Sequence, residues 1–333
     1  MKIVRANSLD FNTLWKCLFV QRDFQHPLYQ PCNIKYYEAY VPESQFEDCS
    51  FVVEDNGSPL VGLRMTASST PEGDRQLSGF WLPILYLENR DIEYARFGKC
   101  YKLVKAELRD IQNAHSITRI IYQDFLDDGK LSFLGKHLLD QGGQATPYFT
   151  QIVDLSLSHD SLHSQIRKSY KSLINQGSKN LTIFVIDNTT ITPEDIENFR
   201  LLHLEASGRE TRSRHSWQVQ YEMVCHKEAF IVFGYLEGIL VTAGLFPYSP
   251  RCCFYGVSAS KRDLFEKPLS HAVIWTAMLH AKKQGLVFLE LPEVLFPNEG
   301  EPFPTEKEIG ISTFKRGFGG HTQVRLNIRW QLH

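Results

Sequence analysis

Phe230-Ile231-Val232-Phe233-Gly234-Tyr235-Leu236, then Glu237-Gly238, then Ile239-Leu240-Val241-Thr242-Ala243-Gly244-Leu245 reads as a strand, a tight turn and a returning strand. Aromatic and β-branched residues fill both arms, and Gly238 supplies the positive φ that short hairpins need. Downstream, Cys252 to Val257 reads as a third strand, Leu269 to Lys283 as a long helix ended at Gly285, and Val287 to Leu291 as the next strand. Upstream lie a basic helix over Ser164 to Gln176, a strand over Leu181 to Ile186, and a helix from Pro193 to about Ser207. Thr192 is placed to cap that last helix.

The same order appears about 180 residues earlier. Phe51-Val52-Val53 and Leu60-Val61-Gly62-Leu63 flank the turn Asp55-Asn56-Gly57, and a third strand is expected over Phe80 to Leu87. Asp91 to Ala114 then carries apolar residues at helical spacing, Arg119 to Phe125 reads as a strand, and Leu131 to Leu139 as a helix ended by Gly142-Gly143. Gln144 to Leu155 is extended. Before the hairpin, Ser8 would cap a helix to Val20 whose face is Leu14, Trp15, Leu18 and Phe19, and the proline-punctuated Gln21 to Glu47 reads as loop or broken helix. Helix, three antiparallel strands, long helix, strand, helix, strand is the order of the GNAT acyltransferase fold. The expected class is therefore α/β (α+β): two GNAT-like domains in tandem, 1–155 and 156–316, each a mixed, mostly antiparallel sheet flanked by helices.

With 333 residues, 43% of them hydrophobic and 12% aromatic, the chain can fill two cores. The 36 Lys+Arg nearly balance 38 Asp+Glu, for a formal charge of -2, so no global field draws the protein to DNA. Seven cysteines occur without a Cys-x-x-Cys pair or zinc spacing, and the histidines, His203, His215 and His226 among them, lack metal-site spacing. No metal is expected. Reduced thiols and the lack of a signal-peptide pattern point to the cytoplasm, and no apolar run is long enough to span a membrane.

The tail carries a second signal. Lys307-Glu308-Ile309-Gly310-Ile311-Ser312-Thr313-Phe314-Lys315-Arg316-Gly317-Phe318-Gly319-Gly320 sets two cations between rings, with glycines that let backbone N–H groups approach an anion. It equally fits a basic glycine turn before a final strand, Thr322 to Trp330. The stretch resembles the Phe-Lys-x-Gly-Phe-Gly signature near the carboxyl end of the Fem-type transferases, which attach aminoacyl groups to amines, typically on cell-wall precursors. Three further stretches resemble the same family. Ser207-Gly208-Arg209-Glu210-Thr211-Arg212, with Glu205 before it and Trp217 after, is similar to its Ser-Gly-Arg-x-Thr-Arg segment. Tyr255 to Ser260 and Ser270-His271 to Trp275 are similar to its Tyr-x-x-x-Ala-Ser and Ser-His-x-x-x-Trp stretches, and Ile166-Arg167-Lys168 to Lys171 to a basic segment.

The resemblance implies that the final strand, about 317–333, returns to the first domain. It implies that Lys315, with Phe314 and Arg316 beside it, meets an anion or the charge of the reaction centre. Tyr255 would donate to a developing oxyanion or leaving group, and His271 would take a proton from an attacking amine. Arg209, Arg212, Glu205, Trp217, Arg167 and Lys168 would bind substrate anions. As plain chemistry these residues also fit a solvated charged loop, a basic helix face, a core tyrosine and a satisfied histidine. One departure stands out. Coenzyme A-dependent GNAT enzymes hold pyrophosphate on a glycine loop before the long helix, whereas Lys261-Arg262-Asp263-Leu264-Phe265-Glu266-Lys267-Pro268 has no glycine.

The expected activity is N-acyl transfer from acyl-CoA or aminoacyl-tRNA, used as co-substrate with no permanently bound cofactor. The acceptor would be an amine on a cell-envelope precursor, either an amino sugar of a surface glycan or a peptidoglycan peptide, and a lipid-linked acceptor is compatible. The tRNA would be met at its acceptor end. The competing reading is a non-catalytic tandem-GNAT module that binds such a ligand.

Overall fold

The computed structural model describes residues 1–40, 46–70, 73–80, 82–89, 94–264, 266–300 and 302–332. In chain order the elements are β1 (Lys2–Arg5), α1 (Phe11–Phe19), α2 (Pro31–Tyr40), β2 (Phe46–Asp48), β3 (Phe51–Asp55), β4 (Ser58–Arg64), β5 (Thr66–Ser69), β6 (Arg75–Ser78), β7 (Leu85–Glu88), α3 (Tyr94–Ala114), β8 (Arg119–Asp124), α4 (Phe133–Asp140) and β9 (Gln144–Asp154). The second half adds α5 (His159–Gln165), α6 (Lys168–Asn180), β10 (Thr182–Ile186), α7 (Pro193–Ser207), α8 (Arg214–Cys225), β11 (Ala229–Leu236), β12 (Ile239–Pro247), β13 (Cys252–Phe254), β14 (Val257–Ser260), α9 (Leu269–Lys283), β15 (Phe288–Leu291), α10 (Glu306–Arg316) and β16 (His321–Gln331).

The chain forms two compact units. The first comprises Met1–Asp23, Pro42–Tyr148 and Val324–His333, the second Phe24–Val41 and Phe149–Gln323. In the first, an antiparallel sheet runs β1-β3-β4-β7, and a second ladder runs β16-β8-β6-β5-β2. In the second, the antiparallel sheet runs β10-β11-β12-β14, and β13 pairs parallel to β15, which pairs antiparallel to β9. Each unit thus holds a four-stranded sheet in which a central hairpin, β3–β4 or β11–β12, is flanked by an earlier and a later strand. A helix packs on the hairpin in each unit. Leu18 and Trp15 of α1 close on Gly62 in β4, where a Cβ would come within 3.0 Å of Leu18. In the second unit α9 lies on β11 and β12, with Ala272, Ala277, Met278 and Ala281 fully buried. A methyl group on Gly177 of α6 would sit 2.8 Å from Ala272 Cβ, so α6 and α9 approach closely because both present small residues.

Several expected elements differ. Gln21 to Glu47 holds α2, opened by Pro31, a residue already set for the first helical turn. Residues 41–45 of that stretch lie outside the described residues, as does the start expected for the Asp91 helix. The first helix begins at Phe11, not at Ser8, and the Asp10 side chain makes no cap. The basic helix expected over Ser164 to Gln176 is two helices, α5 and α6, broken at Ile166-Arg167. The single strand expected over Cys252 to Val257 is also two, β13 and β14, which belong to different sheets. The tail from Glu306 to Arg316 is a helix and not a turn. Among the described residues, no helix is long and apolar enough to cross a membrane.

Candidate functional site

The split between β13 and β14 opens the site. Tyr255 N–H donates to Glu290 O on β15 at 2.9 Å, and Gly256 N–H donates to Leu245 O on β12 at 3.1 Å. Consecutive residues therefore serve different sheets, and the gap between those sheets is hollow. A cavity of about 520 Å³ lies there, lined by Tyr255, Gly256, Ser258, Ser260, Ser270 and Arg262 from this region, His203 and Ser207 from α7, and Lys307, Ile311, Phe314 and Lys315 from α10. All belong to the second unit.

Helix α10 supplies the cation. Thr305 and Glu308 form a reciprocal capping box, with Thr305 Oγ1 accepting from Glu308 N–H and Thr305 N–H donating to Glu308 Oε2 at 2.8 Å. From that start, positions 307, 311, 314 and 315 fall on one helical face, which is the face lining the cavity. Lys315 Nζ donates to the carbonyls of Pro292 at 2.5 Å and Glu293 at 3.0 Å. Glu293 is held at φ 47°. Burial lowers the Lys315 pKa from its ordinary value, and the Glu293 charge partly offsets this.

Tyr255 stacks on Phe246 with centroids 5.5 Å apart. Burial raises the pKa of its phenol, which favours the protonated, donating form. Ser260 Oγ lies 3.1 Å from Ser270 Oγ and 2.8 Å from Thr242 Oγ1, a hydroxyl chain at the cavity wall. His203 Nε2 lies 2.7 Å from Arg212 Nη1. A guanidinium can only donate, so Nε2 is the acceptor and the remaining ring proton sits on Nδ1. Burial, with the Arg212 charge second, pushes the His203 pKa down to about 4.

The other candidates are dispersed. His271 does not line the cavity. Its ring lies edge-on to Tyr170 at 4.5 Å and to Phe314 at 5.1 Å, and burial pushes its pKa down to about 4. Arg316 lies over the Phe296 ring at 4.7 Å. Arg212 also donates through Nε to Tyr36 Oη at 3.0 Å and lines a second, smaller cavity. Trp217 is core, packed on Phe199 and His203. Arg209 is exposed, and Glu205, mostly exposed, pairs with Lys261 at 3.0 Å. Arg167 and Lys168 are exposed at the start of α6, with Arg167 over the Tyr170 ring at 5.1 Å. His203, Ser207, Ser258, Ser260, Ser270 and Lys307 are cavity residues to which the sequence pattern assigned no site role; for His203, the available signal was the i, i+4 relation to Ser207, which puts both on one face of α7.

The arrangement can hold an anion with Lys307 and Arg262, donate to a carbonyl oxygen through Tyr255 or Lys315, and keep the neutral imidazole of His203 in its wall. No protein-family model matches the chain, and no curated protein matches its sequence. Among solved structures it is similar to FemX, at TM-score 0.69 and 12% identity, covering 100% of this chain and 98% of that one. It is also similar to a tandem GNAT protein from the clavulanic acid biosynthesis pathway, at TM-score 0.57 and 16% identity over 98% and 97% of the two chains. L-PGS from Bacillus licheniformis matches at TM-score 0.57 and 12% identity over 91% and 92%.

Proposed function

We propose that this chain, which has the Fem-like tandem GNAT fold, is an N-acyltransferase that moves an acyl or aminoacyl group from an activated carrier to an amine. The observation that carries this reading is the convergence of Tyr255 and Lys315, from a sheet split and a helix distant in sequence, on one cavity. In acyl transfer the amine nitrogen forms a bond to the acyl carbon, the carbonyl becomes an oxyanion, and the carrier leaves as the carbonyl re-forms. The amine loses one proton overall, and the leaving thiolate or alkoxide gains one. Tyr255 Oη–H or the Lys315 ammonium donates to the oxyanion, where preorganised donors lower the barrier most. Neither His203 nor His271 fits the base role well. The first has its Nε2 occupied, and the second does not line the cavity. Water, or the carrier's own leaving sulfur or oxygen, is the better first acceptor of the amine proton.

The Fem-type pattern around Phe314-Lys315 favours an aminoacyl donor, and the likeness to a tandem GNAT protein named in relation to AcCoA favours an acyl-CoA. Arg262 and Lys307 offer either carrier phosphate contacts that do not depend on a glycine loop. A cell-envelope amine, glycan or peptide, is the acceptor class we favour, with a lipid-linked form compatible. Labelled acetyl-CoA and aminoacyl-tRNA offered separately with amino-sugar nucleotides test the reading. Label transfer by the wild type, lost in a folded Lys315→Met protein, supports it. If ligands raise the melting temperature while no donor is consumed, the non-catalytic binding module is the better reading.

A further inference from the structure

In each unit the four-stranded sheet has an early strand at its margin, β1 in the first and β10 in the second. Among the described residues β1 pairs with β3 alone and β10 with β11 alone. Such an edge presents unpaired N–H and C=O groups to any strand that meets it, and folded chains blunt it with charge, proline, a bulge or short length. β1 is blunted. It is Lys2-Ile3-Val4-Arg5, with a cation at each end, paired to Glu54 at 3.2 Å and to Glu107 at 2.5 Å.

β10 holds the same place in the sheet plan and is left open. Its residues, Thr182-Ile183-Phe184-Val185-Ile186, include no charge and no proline, and the pairing with β11 runs without a register shift. All five are β-branched or aromatic, the types that suit a paired strand. None of the five is buried, whereas six of the eight residues of β11 are. Phe184 is 51% exposed and lies edge-on to Tyr235 at 5.8 Å. An apolar, unprotected margin on an otherwise buried sheet is a surface made to be covered.

We propose that β10 pairs antiparallel with β10 of a second copy of this chain, around a two-fold axis at Phe184, joining the two four-stranded sheets. That register sets Phe184 opposite Phe184, Ile183 opposite Val185 and Thr182 opposite Ile186, so apolar and β-branched side chains meet across the axis. Charge at the margins favours the same arrangement. The chain enters β10 after Lys179, exposed in the last turn of α6, and leaves it at Asp187. Antiparallel pairing brings the cationic end of one strand towards the anionic end of the other, where parallel pairing would set like charges together. The contact is isologous, so it uses up both β10 edges and closes at a dimer. It does not depend on acyl transfer.

Sedimentation velocity on the full chain tests this. Between about 1 and 100 µM wild type is expected to pass from monomer towards dimer, as a small interface would give. Phe184→Lys sets two like charges opposite each other, and so does Phe184→Glu. Each alone is expected to weaken the dimer at least about 10-fold while melting, when dilute, at the wild-type temperature. Mixed in equal amounts, the two variants are expected to regain the dimer, because only a residue that faces its own copy turns two repelling chains into an attracting pair. Thr182→Lys, at an exposed position near the axis, is expected to weaken the dimer too and serves if the Phe184 variants do not fold. Wild type that remains monomeric at about 100 µM overturns the proposal and leaves the edge to a foreign strand or to solvent. A dimer that the single variants form as readily as wild type overturns it as well, since another face must then be in contact. Variants that stay apart when mixed overturn the two-fold pairing at Phe184.

Discussion

Lys315 is held by carbonyl dipoles, Pro292 O and Glu293 O, and no carboxylate among the described residues forms an ion pair with it. Dipoles position an ammonium without neutralising it, so its charge remains available to an oxyanion in the cavity. Lys315→Met keeps the packing length and removes the charge. Donor turnover is expected to fall about 100- to 1000-fold, with the folded fraction unchanged in a denaturant titration. A drop below threefold would remove Lys315 from the reaction. His271 makes a different prediction. Its folded pKa, about 4, lies below the ordinary value of 6.5. Between those values the unfolded chain binds the proton and the folded chain does not, so stability falls as pH is lowered through that window and is level above it. The shift corresponds to about 3 kcal/mol at most, before discounting for the partial exposure of the ring. His271→Phe, set among Tyr170, Phe314 and Phe318, removes the titration. Its melting temperature is expected to drop less than that of wild type from pH 7 to pH 5. Parallel drops would show that the imidazole is already solvated.

Elements whose signals are local were legible in the sequence. The β11–β12 hairpin and α9 follow their apolar patterns, and α7 runs from its Thr192 cap to Ser207 as expected. Elements defined by distant partners were not. Nothing within Cys252 to Ser260 says that β13 pairs with β15 while β14 pairs with β12, yet that split makes the cavity. In α10 the glycines suggest a turn, and the decisive signal was Thr305-x-x-Glu308, a capping box. Gly317 has φ -67°, so it is not there for a left-handed turn. It is there for space, because an added Cβ would lie 2.1 Å from Tyr170 Cε2. Gly317→Ala must displace the Tyr170 ring, which packs on His271, Phe314 and Phe318. A loss of about 1–3 kcal/mol is expected, with lower turnover because Phe314 lines the cavity. Gly317→Ala combined with Tyr170→Leu should recover part of the stability, and no recovery would refute the steric account.

At the scale of the molecule the two units share a sheet plan, but both cavities are lined by the second alone. Damage to the first unit should therefore appear as stability and not as chemistry. Asp124 tests this. It is 2% exposed, and its carboxylate accepts from Ser132 N–H at 2.9 Å, Ser132 Oγ–H at 2.7 Å and Leu126 N–H at 3.1 Å. Ser132 in turn caps α4 by accepting from Gly135 N–H at 3.0 Å. Asp124→Ala strips the partners from those donors and leaves a void where Gly135 closes on the carboxylate. The cost expected is about 2–4 kcal/mol, read as a lower urea midpoint. Below that midpoint, turnover per folded molecule should match wild type. If turnover falls at equal folded fraction, the reacting centre is not confined to second-unit residues, and the assignment of the chemistry to Tyr255 and Lys315 alone is wrong.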